Sequence, residues 1–138
     1  MSIPVAVEKV FAEVLSGHFA DVHRAASFGD LGATLERRLQ PIVCACEESE
    51  SPKRNGVQAW NAAVSIDVWS LRDLPIDAAD AYADGVFAWL SDHTAEIQTA
   101  AAAIGWQFGN IREAAQGLRV EESARAISQK YELVATKI

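Results

Sequence analysis

The sequence has little cysteine, an excess of acidic over basic residues and no long apolar run, and each shortage excludes a class of protein. Two cysteines in 138 residues are too few for a disulfide-stapled mini-scaffold. Cys44 and Cys46 stand two apart in an apolar stretch, where a strand turns both to one face and a disulfide would demand backbone distortion. They read as small buried hydrophobes. His18, His23 and His93 are too scattered to complete a zinc half-site, so no metal and no cofactor is expected. No stretch approaches the roughly eighteen apolar residues of a membrane span, and the alanine-rich residues 99–104 fall far short. The N-terminus lacks the basic start and apolar core of a signal peptide, and Glu8 interrupts the only candidate stretch; the expectation is a protein made and kept in a cytoplasm. Twelve Lys and Arg against nineteen Asp and Glu leave a net charge of −7, a field that repels nucleic acid and anionic membranes.

The local signatures of familiar chemistry are missing from the sequence too. It contains no glycine-rich phosphate loop, dinucleotide fingerprint, nucleophile elbow, zincin signature or calcium loop. What is present is an ordinary globular composition, 50% hydrophobic and 22% charged, of a length that suits one domain spanning residues 1–138.

Val7, Val10, Phe11, Val14 and His18 recur at helical spacing behind Pro4, which predicts a helix over residues 4–15 ending near Gly17. Leu31, Leu35 and Leu39 mark a weaker period that is helix or loop. Residues 42–46 read as a short strand that exits into a solvated loop at Glu47, and Asn55-Gly56 supplies a turn before the next strand. From residue 58 to 70 the alternation is clear, with Trp60, Ala62, Val64, Ile66 and Val68 on one face and Trp69 on the other. Both tryptophans cannot enter one side of a sheet, so at least one meets another element or another chain. A helix follows Leu74 and Pro75 with Asp77 as its N-cap and Tyr82, Val86, Trp89, Leu90 and His93 as its stripe. Residues 94–104 are helical, either after a break near Ser91 or as a separate helix. A short strand over residues 105–111, a polar connection over 114–122 and a last strand over 125–136 complete the chain. The fold class is α+β, a small mixed or antiparallel sheet with a long hairpin, flanked by two or three helices.

Two groups of residues invite a functional reading. Asp73, Asp77, Asp80 and Asp84 near His93 are the obvious candidates for catalysis, but helix capping and a solvated helix face account for them. No catalytic residue is assigned, and the chain is read as a non-enzyme. His18 falls on an apolar stripe and takes no role. Glu47, Glu48 and Glu50 precede Pro52, and Lys53 and Arg54 follow it. A solvated hairpin tip accounts for them; the alternative is an interaction loop, whose two halves of opposite charge can pair with another copy.

Several stretches together resemble a known family. These are the run Leu39-Gln-Pro-Ile-Val-Cys-Ala-Cys-Glu-Glu, the polar turn at Asn55-Gly56, the alternating Ala62-Ala-Val-Ser-Ile-Asp-Val-Trp-Ser, the acidic helix after Pro75 and the late Lys130-Tyr-Glu-Leu-Val-Ala-Thr strand. In this order they resemble the tail terminators, or minor tail proteins, that complete the tails of tailed bacteriophages, over most of residues 5–136. The segment from His18 to Arg38 is longer and less regular than a minimal terminator has. The resemblance implies an α/β virion structural subunit that forms a homo-oligomer, a hexameric ring, at the head-proximal end of the tail tube. Its partners would be the tail-tube protein and a head-connector or neck protein, assembled in the bacterial host cytoplasm. It implies neither sequence-specific nucleic-acid binding nor a membrane. The alternatives are another phage neck or head-completion subunit, a small-molecule-binding α+β domain using the carboxylates from Asp73 to Asp84, and a dimeric bacterial accessory protein.

Overall fold

The computed structural model describes residues 2–27, Leu35, 40–50 and 59–138. Helix α1 (Ile3–Ser16) leads into β1 (Val22–Arg24) and a 3-10 turn over Ala25–Ser27; β2 (Ile42–Glu50) and β3 (Ala59–Leu71) come next. Helices α2 (Ile76–Asp92) and α3 (Thr94–Ala103) precede the closing hairpin of β4 (Trp106–Val120) and β5 (Ala124–Lys137). The fold is α+β. Its one sheet has the order β1-β2-β3-β5-β4 and is mixed, because β1 runs parallel to β2 while every other pairing is antiparallel.

Helix α1 forms where the apolar period places it. Pro4 occupies the first turn, where its missing N–H costs nothing, and Val7, Val10, Phe11 and Leu15 are buried together. The end at Gly17 is closed by its amide on Val14 O and by that of His18 on Leu15 O. Helix α2 buries Ala79, Ala83, Val86, Phe87 and Leu90 at three- and four-residue steps. Its N-cap position is Pro75, which offers no side-chain cap; Asp77, expected to cap, stands inside the first turn, where its charge favours the helix dipole. The break before α3 falls at His93, whose backbone (φ −121°, ψ 28°) leaves the helical region, so there are two helices.

The central strand β3 pairs with β5 from Ala59 to Leu71. Ala62, Val64, Ile66 and Val68 enter the main core with Phe11, Leu90, Phe108, Tyr131 and Leu133. Trp60 meets Trp106 edge to face at 5.6 Å on that side. Trp69 lies on the opposite face in a second, smaller cluster with Leu35, Val43, Ala124 and Ala126. Elements on both faces of the sheet therefore absorb the two tryptophans. Cys44 is buried and Cys46 half-buried, and neither is in a disulfide.

Two strand ends differ from expectation. Strand β2 does not stop at Cys46: it runs on through a bulge between Cys46 and Glu48 and pairs Glu48, Ser49 and Glu50 with Ala63, Ala62 and Asn61. The cause is tertiary, since β3 offers a continuous ladder that outweighs the low strand propensity of glutamate. The polar residues 114–120 are likewise strand, not connection, because β5 pairs with them as far as Val120 opposite Arg125. Only residues 121–123 turn, closed by the Glu121 amide on Ala124 O at 2.8 Å.

Candidate functional site

Three places could carry function: a concavity on the face of the sheet turned away from α1, α2 and α3, a histidine and aromatic cluster beside β1, and the edges of the sheet that no described strand pairs. The concavity measures about 620 Å³ and is lined by Asn61, Ala63, Asn110, Arg112, Glu132 and Val134 among others. Register shifts between Gly109 and Arg112 and between Glu113 and Ala115, with Asn110 at φ 54°, bend β4 around it. Bulges of this kind re-aim side chains. The Arg112 guanidinium rests 3.0 Å from Glu132 Oε2. Asn61, Asn110 and Arg112 are exposed and Glu132 is half-buried, so water competes with every polar contact this hollow could make.

The cluster beside β1 begins at Asp21, which holds a left-handed backbone (φ 64°), a conformation aspartate tolerates better than most residues. Its Oδ1 accepts from His23 Nε2 at 2.8 Å, while its Oδ2 is buried without a partner. Burial, and then the Asp21 charge, raise the Tyr82 phenol above its ordinary pKa. Nearby, Trp89 is stacked by His18 at 4.6 Å and by His93 at 4.2 Å, and Phe19 meets it edge-on at 5.6 Å. The His93 ring also reaches Trp89 O through Nδ1 at 2.6 Å. A buried Glu8 adds a further tie, accepting from Arg24 Nε at 3.4 Å and the Ala26 amide at 3.2 Å. These contacts fasten β1 and the following turn to the helices. Among the described residues, no group of three or more His, Cys, Asp or Glu could hold a metal ion.

The residues singled out in the sequence are dispersed. Asp77, Asp80 and Asp84 lie along the exposed side of α2, Asp73 is exposed before it, and His93 faces Trp89. Glu47, Glu48 and Glu50 belong to β2 and not to a loop, while Lys53 and Arg54 lie outside the described residues. The sequence reading missed the pair of Asp21 and His23, whose only signal is the D-x-H spacing, and it missed the outer edge of β4.

That edge is the longest exposed run among the described residues. Every residue from 112 to 120 is exposed, and Leu118 and Val120 keep 59% and 55% of their surface in water. Near its start the edge is covered by α3, where Gln98 Nε2 donates to Phe108 O at 3.1 Å. Beyond that point no strand among the described residues pairs with it. On the opposite edge, β1 pairs with β2 only over Ile42, Val43 and Cys44, so no described strand pairs with the outer side of residues 45–50. An unpaired edge presents a row of N–H and C=O groups to any strand that arrives.

No family model and no curated protein matches this chain, and no helix among the described residues is long and apolar enough to cross a membrane.

Proposed function

We propose that the protein is a non-enzymatic virion structural subunit of the tail-terminator kind, which assembles into a ring at the head-proximal end of a tail tube and joins tail to head. The observation that carries this reading is the β4 edge, exposed over residues 112–120 with two aliphatic side chains more than half in water. Soluble proteins guard such edges because they invite strand addition; in a ring subunit the neighbour supplies the cover. The net charge of −7 agrees with a channel wall that lets DNA pass without holding it. The sequence resemblance points to the same assembly.

The test is the mass of the purified protein by light scattering across concentration and salt. A six-fold mass, followed by rings in electron micrographs that cap isolated tail tubes, is the expected outcome. A chain that stays monomeric both alone and with tail tubes refutes the proposal. Rings that bind portal connectors but not tubes assign the protein to the neck instead.

A further inference from the structure

The two edges that no described strand pairs, the outer side of β4 and residues 45–50 of β2, are unlike each other, and they run in opposite directions. Strand β4 is antiparallel to β5, β5 to β3 and β3 to β2, so β4 is antiparallel to β2. A second copy set beside the first in the same orientation therefore brings its β2 against β4 as an antiparallel pair, the more stable kind of ladder. The chemistry of the two edges also matches. The exposed part of β4 carries Arg112 and Arg119 against a single Glu113, while residues 45–50 of β2 carry Glu47, Glu48 and Glu50 and no cation.

We propose that the outer edge of β4 pairs with the outer edge of β2 of the next copy, with Arg119 set against Glu48. The inference rests on the ring reading and names the joint within it. The register sets the stagger, because Glu48 pairs with Ala63, Ala63 with Glu132 and Glu132 with Arg112. All four stand on one row of the sheet, but a neighbour added without stagger would also bring Gln116, Gly117 and Leu118 onto the rows of its Cys44, Val43 and Ile42, whose outer side β1 already takes. A stagger of six rows, of the sort that closed sheets adopt, keeps residues 117–120 off the rows of β1 and brings Arg119 beside Glu48, since Arg119 is opposite Ala126 where Arg112 is opposite Glu132. A cation of one copy thereby meets the acidic edge of the other. Such a joint is head-to-tail, using different surfaces on the two copies, and it generates a ring when the rotation closes. Pairing β4 with itself about a two-fold axis would set the same two arginines on both strands and stop at two copies.

The test uses two double variants of the full chain, Arg112→Glu with Arg119→Glu, and Glu48→Arg with Glu50→Arg. Each variant alone sets like charge against like. Its assembly midpoint should move to at least ~10-fold higher concentration, with circular dichroism and melting temperature showing a folded monomer. An equimolar mixture should recover the wild-type mass, because each variant now meets a neighbour of opposite edge charge and the copies alternate. Folded variants that assemble as wild type does, or a mixture that stays dispersed, overturn the edge pairing and leave the ring reading standing. A wild-type chain that stops at a dimer, or that is monomeric at every concentration and on tail tubes, overturns both.

Discussion

Replacing Leu118 and Val120 by threonine separates the stability of the subunit from the stability of its assembly. Threonine is β-branched, a shape that strands favour, so the hairpin of β4 and β5 should remain. In the single copy the two side chains are 59% and 55% exposed, and exposed substitutions of this type move folding stability by no more than about 0.5 kcal/mol. In the proposed ring the same surface would be removed from water. Full burial of a leucine or valine is worth about 1.5–3 kcal/mol, and a little over half of that remains to be gained at each position, or roughly 2–3 kcal/mol for the pair. At about 1.4 kcal/mol per factor of ten, the association midpoint should shift by roughly 30- to 100-fold. Dilution series followed by light scattering read the midpoint, and thermal unfolding at a concentration where both proteins are monomeric reads the fold. An unchanged midpoint in a wild-type background that assembles would show that the apolar side of β4 is not covered by a neighbour. A large fall in melting temperature of the monomer would show instead that the two residues serve the subunit itself.

Alkaline pH should weaken the fold in two steps. Burial, followed by the charges of Glu8 and Asp67, pushes the Cys44 thiol well above its ordinary value of about 9.0, and burial pushes Tyr131 from 10.0 up to about 12. Both groups hold their protons in the folded chain at pH values where the unfolded chain releases them, so stability is full below pH 9 and falls as pH rises. The fall begins near pH 9 through Cys44 and steepens between pH 10 and 12 through Tyr131, by at most ~1.4 kcal/mol per pH unit per group. Urea unfolding from pH 7 to 11 checks this; Cys44→Ala should delay the onset to about pH 10, and a flat profile would refute the assignment. Phe11→Ala should cost about 3–5 kcal/mol, because Phe11 is fully buried beneath Tyr131 at a ring separation of 6.3 Å, and a loss under 1 kcal/mol would place it outside the core. Gly105→Ala should cost about 1 kcal/mol: an added Cβ meets nothing within 4 Å, but the backbone sits at φ +86°, and the melting temperature reports that strain alone.

The parts of this fold that could be read from sequence are those whose side chains report their own surroundings. The alternation from Trp60 to Val68 announces a strand with one wet and one dry face, and the spacing of Val7, Val10 and Phe11 a helix on a core, because burial there follows the local period. Residues 112–120 carry no such period, since water lies on both sides of β4 and nothing selects one face. Their extended conformation is imposed by β5, eleven or more residues on from each partner at the hairpin's far end and nearer at the turn, and a ladder partner leaves no mark on composition. The same holds for Glu48, Ser49 and Glu50, which are extended because β3 is there to pair with them. The candidate site was legible in charge and not in shape: the acidic run stood out, but only the register shows that it shares a row with Arg112.

The exposed edges also raise the question of whether these features protect a monomer or select a partner. Natural sheets blunt an edge by shortness, by bulges and by charge, and this one uses all three. Strand β1 is three residues long, β4 carries two register shifts, and Arg112 and Arg119 interrupt the edge with cations. Protection alone would be served by charge of either sign and would leave no aliphatic surface beside it. Leu118 and Val120 lie between and beyond those arginines with more than half their surface in water, on a stretch of strand that no described helix covers. An edge that rejects other basic strands, accepts an acidic one and gains burial when it does so is built to choose. In a chain of net charge −7, whose copies repel one another at long range, the local cations of β4 are what would let the next copy approach from one side only.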